Sequence, residues 1–285
     1  MRGMLAALAI ALATALTLAT SLAISVASPA SAQPGSEPSG AVALPDGPAQ
    51  SWLLADLDSG RILASRNPHE PHAPASTIKA LLAMVVLDQL PLNGAIAARP
   101  AAADVECSCA GVKAGRAYTV RQLLDGLMLV SGNDAANVLA DGLGGYRVAV
   151  AKMNAKASTL GARSTRVSSP SGLDGPGMES VTTANDLAMI YRQALRYPAF
   201  AAIVRQPSSL FPTDNGPKTI TNQNELLKRY PGTLVGKTGY TNLARDTFVA
   251  AAQRNGRRLV VAQLYGNGDL YGQAIDLFDW GFRQP

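Results

Sequence analysis

The chain is 285 residues long, 47% hydrophobic and only 16% charged, which is ample for a large core in one or two domains and excludes an intrinsically disordered chain. Its formal net charge of +5 has no cluster behind it. Lys228-Arg229 and Arg257-Arg258 are pairs without an aromatic-rich basic stripe, so no nucleic acid is expected as a partner, while attraction to an anionic cell-envelope polymer is compatible with the charge.

Residues 1–32 carry a single charge, Arg2, and a long Ala/Leu/Ile run that closes on Ala30-Ser31-Ala32. This reads as a secretory signal peptide cleaved after Ala32; the length of the run leaves an uncleaved N-terminal anchor as the alternative, and both imply export. Residues 33–50 are rich in Pro, Gly and Ser and read as a tether, with the linker proper over 33–44 and the folded domain over 45–285. Residues 52–57 and 61–64, separated by Asp58-Ser59-Gly60, predict a hairpin. In the next loop, Pro71 stands between His69 and His72. It prevents the i, i+4 presentation that a helical zinc site uses, and a third ligand is missing, so this pair reads as a solvent-exposed loop with no metal.

Pro74 suits a first helical turn, and Leu81, Leu82, Met84, Val85, Val86, Leu87 and Leu90 predict a helix that is apolar on every side and therefore buried. From about 91 to 200 the pattern is helical and loop-rich, with no convincing alternation of strands. The only cysteines lie in Glu106-Cys107-Ser108-Cys109. An oxidising compartment favours their pairing while the tightness of a C-x-C loop opposes it, and the absence of a nearby histidine argues against catalysis by either. Thr119-Val120-Arg121-Gln122 is a capping-box pattern opening a helix with Leu123, Leu124, Leu127 and Met128. That helix stops at Ser131-Gly132-Asn133, and Asp134 is placed to cap the next, over 135–143. A helix over 148–160 ends at Gly161, a Gly/Pro/Ser loop spans 168–178, and Thr183 with Asp186 opens another helix through Leu187, Ile190, Tyr191 and Leu195. Strands return at 234–240, then at 247–253 and 258–265 joined across Asn255-Gly256, before a last helix over 273–282.

Three short patterns carry candidate chemistry. Ser76 and Lys79 are three apart at the start of the buried helix, so they share a face. Burial disfavours the Lys79 ammonium and fits it to accept a proton from Ser76, while free backbone N–H groups of the first turn can meet a developing oxyanion; the plainer reading is a capping serine and a lysine that snorkels to water. Ser131 and Asn133 sit on a tight inter-helix loop, which is also good turn chemistry on its own. Lys237-Thr238-Gly239 follows Gly236 but is no phosphate loop, because the required first glycine falls at Pro231. A glycine-bounded strand lets a peptide backbone approach the sheet edge, with Lys237 and Thr238 offering charge and a hydroxyl to a carboxylate; an ordinary exposed edge strand is the plainer reading.

Together, Ser76-x-x-Lys79, Ser131-x-Asn133 and Lys237-Thr238-Gly239 occur once each, in order. With these motifs the chain resembles the serine-type D-alanyl-D-alanine carboxypeptidases, the low-molecular-weight penicillin-binding proteins, most of all their actinobacterial and mycobacterial members. The resemblance covers about residues 42 to 283, including the loop at 171–177 and the stretch at 182–187. It implies an α+β fold of the β-lactamase/transpeptidase kind: a five-stranded antiparallel sheet built from both ends of the chain and flanked by helices, with an all-helical subdomain inserted at about 91–200. The implied catalytic residues are Ser76 as nucleophile, Lys79 as base and Ser131 as proton relay. The implied substrate-binding residues are Asn133, Lys237, Thr238, Gly239 and Tyr240, with the backbone N–H groups of Ser76 and Tyr240 as oxyanion hole. No cofactor and no metal are implied. The implied partners are a peptidoglycan stem peptide and β-lactam inhibitors.

A class A β-lactamase is the nearest rival, but its deacylating Glu with an Asn four residues on is matched by neither Glu179 nor Glu225. A non-catalytic peptidoglycan-binding or penicillin-sensing module is the second, and the presence of Ser76, Lys79, Ser131, Asn133 and Lys237 speaks against it. Arg245 is a candidate for an anionic substrate group or simply an exposed hairpin arginine. Many relatives carry a C-terminal anchor, whereas this chain ends at Arg283-Gln284-Pro285 after its last helix; no C-terminal membrane anchor is evident, and an exported protein, soluble or held by its substrate polymer, is expected.

Overall fold

The computed structural model describes residues 43–285. The expected signal peptide, and the linker up to residue 42, lie outside the described residues. In chain order the elements are β1 (Ala49–Asp56), β2 (Ile62–Arg66), a 3₁₀ turn (Ala75–Ile78), α1 (Lys79–Gln89), β3 (Ala95–Ala97), α2 (Pro100–Ala103), β4 (Ala117–Thr119), α3 (Val120–Leu129), α4 (Asn133–Gly142), α5 (Tyr146–Thr159), α6 (Ala184–Ala194), α7 (Pro198–Arg205), β5 (Ser208–Thr213), β6 (Gly216–Thr221), α8 (Leu226–Arg229), β7 (Thr233–Thr241), β8 (Arg245–Arg254), β9 (Arg257–Gly266) and α9 (Leu270–Arg283).

Among the described residues, the main sheet has five strands in the order β2-β1-β9-β8-β7, all antiparallel. It closes the two ends of the chain on each other: Trp52 lies opposite Gln263 and Leu54 opposite Val261. The β8–β9 turn is the expected one, with Asn255 at φ +51° and Gly256 at φ +80°, the left-handed pair that a two-residue hairpin needs.

Alternation along the strands explains why they read as apolar runs. Trp52, Leu54, Phe248, Ala250, Leu259 and Val261 pack on one face against Ala274, Leu277 and Phe278 of α9. Leu53, Ala55, Val249, Ala251, Val260 and Ala262 point the other way, into the larger core that holds α1 and α3 to α7. A sheet covered on both faces has no polar side to show. Helix α1 is buried from Lys79 to Val86, as an all-round apolar helix must be.

Several expectations need correction. The tether does not reach 50: Ala49 is fully buried and donates its N–H to Gln273 Oε1 at 3.1 Å. Asp134 is no N-cap; Gly132 holds that position, and the Asp134 carboxylate instead accepts from the N–H groups of Ala110, Gly111, Val112 and Ala135. The segment between α1 and α7 is not wholly helical, because β3 and β4 form a short ribbon through Ile96 and Tyr118. Three-residue strands made of Ala, Ile, Tyr and Thr leave too little alternation to be read. A second ribbon, β5–β6, was likewise not expected, since Pro212, Gly216 and Pro217 punctuate it. His69 is exposed as expected, but His72 is half-buried: its ring stacks on Tyr265 at 5.1 Å, and its backbone pairs with Thr182. Burial pushes its imidazole pKa down.

Candidate active site

Ser76 and Lys79 are held by the turn that precedes α1. The α-helix begins only at Lys79, so Ser76 lies on the 3₁₀ turn, where residues three apart eclipse each other. The turn is pinned from three sides. Thr77 Oγ1 donates to Pro74 O at 2.6 Å, Thr247 Oγ1 donates to the same carbonyl at 3.0 Å, and the buried Tyr191 hydroxyl donates to Thr77 O at 2.9 Å. Ala75 is left at φ +47°, a conformation that costs a non-glycine residue about 1 kcal/mol and that these contacts hold in place.

Lys79 is fully buried. Its Nζ lies 2.7 Å from Ser76 Oγ, 2.7 Å from Asn133 Oδ1 and 2.7 Å from the carbonyl oxygen of Ser171. A neutral amine has two N–H donors and one lone pair. Asn133 Oδ1 and the Ser171 carbonyl can only accept, so they take both N–H bonds and leave the lone pair facing the Ser76 hydroxyl. The environment favours that state: desolvation, then the neighbouring Lys237 charge, push the Lys79 ammonium well below its usual range, with Asp134 acting weakly the other way.

The second pair stands on the other wall. Ser131, at φ +60° in the turn between α3 and α4, accepts a hydrogen bond from Lys237 Nζ at 3.0 Å, and Lys237 also donates to Thr238 O at 2.7 Å. Burial lowers the Lys237 pKa to about 7. A neutral Lys79 exerts no charge on Lys237 in return, which fits desolvation as the sole cause there. Gly239 explains the glycine of the third motif: a Cβ on it would fall 2.7 Å from Ser76 N and 2.6 Å from Thr247 Oγ1, so only a bare backbone lets β7 pass the nucleophile turn. Strand β7 is the sheet's outer strand on this side, and a cleft of about 390 Å³ is lined by Ser76, Ser131, Asn133, Thr238, Gly239 and Tyr240 together with Glu106, Leu173 and Asp246.

The structure thus brings Ser76, Lys79, Ser131, Asn133, Lys237, Thr238, Gly239 and Tyr240 to one cleft from four separate stretches of chain. Against this geometry the comparisons with known proteins are decisive. The family model for Peptidase_S11, D-alanyl-D-alanine carboxypeptidase, matches residues 39–267. The chain belongs to this family. It is 61% identical to the D-alanyl-D-alanine carboxypeptidase DacB2 of Mycobacterium tuberculosis, over 86% of each chain. The crystal structure of a D-alanyl-D-alanine carboxypeptidase from Mycobacterium tuberculosis superposes with a TM-score of 0.85 at 59% identity, over 88% of this chain and 97% of that one. The Streptomyces K15 DD-transpeptidase shares the fold at 29% identity and a TM-score of 0.80, over 85% of this chain and all of that one. The five-stranded antiparallel sheet with its flanking helices is the fold of these DD-peptidases.

For this S11 peptidase the sequence reading missed the groups that act through their backbone. The Ser171 carbonyl completes the Lys79 site, and the Glu106 carbonyl accepts from Asn133 Nδ2 at 2.7 Å. No side-chain type announces a carbonyl, although the loops that carry them, 106–109 and 171–175, were visible as loops. Cys107 and Cys109 are disulfide-bonded, which resolves the pairing left open above. Glu179 and Glu225 are exposed and do not line the cleft. Arg245 is exposed at the start of β8. No group of His, Cys, Asp and Glu among the described residues could hold a metal ion, and no helix among them is long and apolar enough to cross a membrane.

Proposed function

We propose that this protein is a serine D,D-carboxypeptidase that removes the terminal D-alanine from peptidoglycan stem peptides through an acyl-enzyme on Ser76. The observation that carries this reading is the 2.7 Å contact between a fully buried Lys79 amine and Ser76 Oγ. Ser76 Oγ attacks the carbonyl carbon of the penultimate D-alanine and passes its proton to Lys79. The backbone N–H groups of Ser76 and Tyr240 receive the oxyanion. Ser131, hydrogen-bonded to Lys237, relays a proton to the departing amine of the terminal D-alanine. Thr238, and the positive potential of Lys237, hold the terminal carboxylate, while Asn133 meets the substrate amide. Water then attacks the ester carbonyl, freeing the shortened peptide and restoring the Ser76 hydroxyl. A β-lactam presents a strained amide and a carboxylate to the same groups and acylates Ser76 in the same way.

The substrate places the protein outside the cytoplasmic membrane. Residues 1–32 serve as its export signal, residues 33–44 as a linker, and residues 45–285 as the catalytic domain, with the segment at about 91–200 forming the helix-rich wall of the cleft. The test of function is release of D-alanine from a pentapeptide ending in D-Ala-D-Ala. The parent protein releases it, and Ser76→Ala reduces the rate by at least about 10³-fold while remaining folded. Equal rates in parent and variant refute the assignment of Ser76, and no release by the parent refutes the activity.

A further inference from the structure

Asn133 is 3% exposed and all its polar groups on this side are committed. Its Oδ1 accepts from Lys79 Nζ at 2.7 Å, its Nδ2 donates to Glu106 O at 2.7 Å, and its backbone N–H donates to Ser108 O at 2.7 Å. A carboxamide is nearly symmetric in shape, so turning it half round swaps its oxygen and nitrogen at little steric cost, and only its hydrogen-bond partners decide between the two poses. The partner that decides here is the Glu106 carbonyl, which accepts and cannot donate. Yet Glu106, Cys107 and Ser108 are all exposed, and an exposed stretch of three residues has no packing to hold a carbonyl against a buried amide. What holds it is covalent. The Cys107–Cys109 bond closes the loop around Ser108, and the Asp134 carboxylate binds the N–H groups of Ala110, Gly111 and Val112 immediately after it.

We propose that the Cys107–Cys109 disulfide is a clamp that fixes the orientation of the Asn133 amide through the Glu106 and Ser108 carbonyls, and thereby directs the Lys79 lone pair at Ser76. The two cysteines are positioning residues; they touch no reacting atom. This rests on the reading of Lys79 as the base that activates Ser76. With the clamp open, Glu106 O is free to leave and the amide to rotate. Its N–H then faces Lys79 Nζ, which disfavours the ammonium further and engages the lone pair that Ser76 needs. Two effects follow together. Acylation slows, and the acid limb of its pH profile moves to lower pH.

The experiment compares the parent protein with Cys107→Ser/Cys109→Ser, each with and without a dithiol reductant. The dithiol supplies two electrons and two protons, turning the S–S bond into two thiols while it closes to a cyclic disulfide; Cys107 lines the cleft and is accessible to it. Acylation by a fluorescent penicillin is followed from about pH 5 to pH 9, beside D-alanine release and thermal melting. The double variant is expected to acylate about ten- to a hundredfold more slowly with its acid limb displaced to lower pH, and reduction is expected to bring the parent to the same behaviour and leave the variant unchanged. Acylation within about twofold of the parent, or a slower reaction with an unmoved pH profile, overturns the clamp. Should the double variant fail to fold, the reduced parent decides by the same two readouts. A parent that neither acylates nor releases D-alanine overturns the functional reading as well, whereas an active parent with unaffected variants overturns the clamp alone.

Discussion

Replacing Lys237 by Met removes a buried charge from the cleft and exposes what that charge costs the fold. Lys237 is 4% exposed, and burial moves its pKa from 10.5 to about 7. The folded state therefore holds fewer protons than the unfolded state between those two values, and stability rises as pH climbs from about 7 to about 10.5. Each pH unit in that window contributes about 1.4 kcal/mol, so the pH-dependent penalty present below about pH 7 is at most about 5 kcal/mol. Against this, Lys237→Met loses the bonds to Ser131 Oγ and Thr238 O, at about 1 kcal/mol each. At pH 6 the variant is expected to be more stable than the parent by about 3 kcal/mol, and at pH 10.5 less stable by about 2 kcal/mol, with the two curves crossing near about pH 9. Lys79 contributes a rise of the same sign to both proteins, so the difference isolates Lys237. The assay is chemical denaturation followed by the fluorescence of Trp52 and Trp280, the two tryptophans of the chain, at intervals from about pH 6 to pH 10.5. Parallel curves refute the argument, because they mean that Lys237 keeps its proton in the folded protein throughout.

Gly239→Ala is expected to cost about 1–3 kcal/mol in stability and about a hundredfold in acylation rate, since its Cβ meets Thr247 Oγ1 at 2.6 Å, Ser76 N at 2.7 Å and Ala75 Cβ at 2.9 Å, and the backbone beside the nucleophile must shift to admit it. Penicillin labelling beside thermal melting checks both. Asp134→Asn keeps the shape but turns an amide N–H₂ toward two of the four backbone N–H groups that the carboxylate now satisfies. A loss of about 3 kcal/mol, or roughly 6–12 °C in melting temperature, is expected, and a variant that melts with the parent shows that the 110–112 segment is held by something else.

The elements that sequence reasoning recovers are those whose signal is local and chemical. Thr119 and Gln122 do bond reciprocally as a capping box, and Thr183 does accept from the N–H of Asp186. Asn255-Gly256 turns where it should, and the all-apolar face of α1 is buried as its composition demands. Ser76 with Lys79 was legible because both the spacing and the burial can be read from side chains. What escaped depends on the fold as a whole. The β3 and β4 strands exist because Ile96 and Tyr118 find each other, not because either segment favours a strand. Asp134 looks like a cap until the 110–112 backbone arrives beside it. His72 reads as loop until Tyr265, at the far end of the chain, stacks on its ring.

Strand β1 joins only β2 until the last strand, β9, slots in beside it, and β9 in turn carries β8 and then β7 with Lys237 and Gly239. A ribosome delivers Ser76 early and these partners late. The hydroxyl therefore stays an ordinary alcohol for most of the chain's synthesis, and becomes reactive only in a molecule whose two ends have met. Joining segments so distant along the chain is entropically slow, and until it happens β1 offers an unpaired apolar edge to any other chain nearby. A truncation ahead of residue 257 should then yield an inert, self-associating polypeptide and not a weakened enzyme.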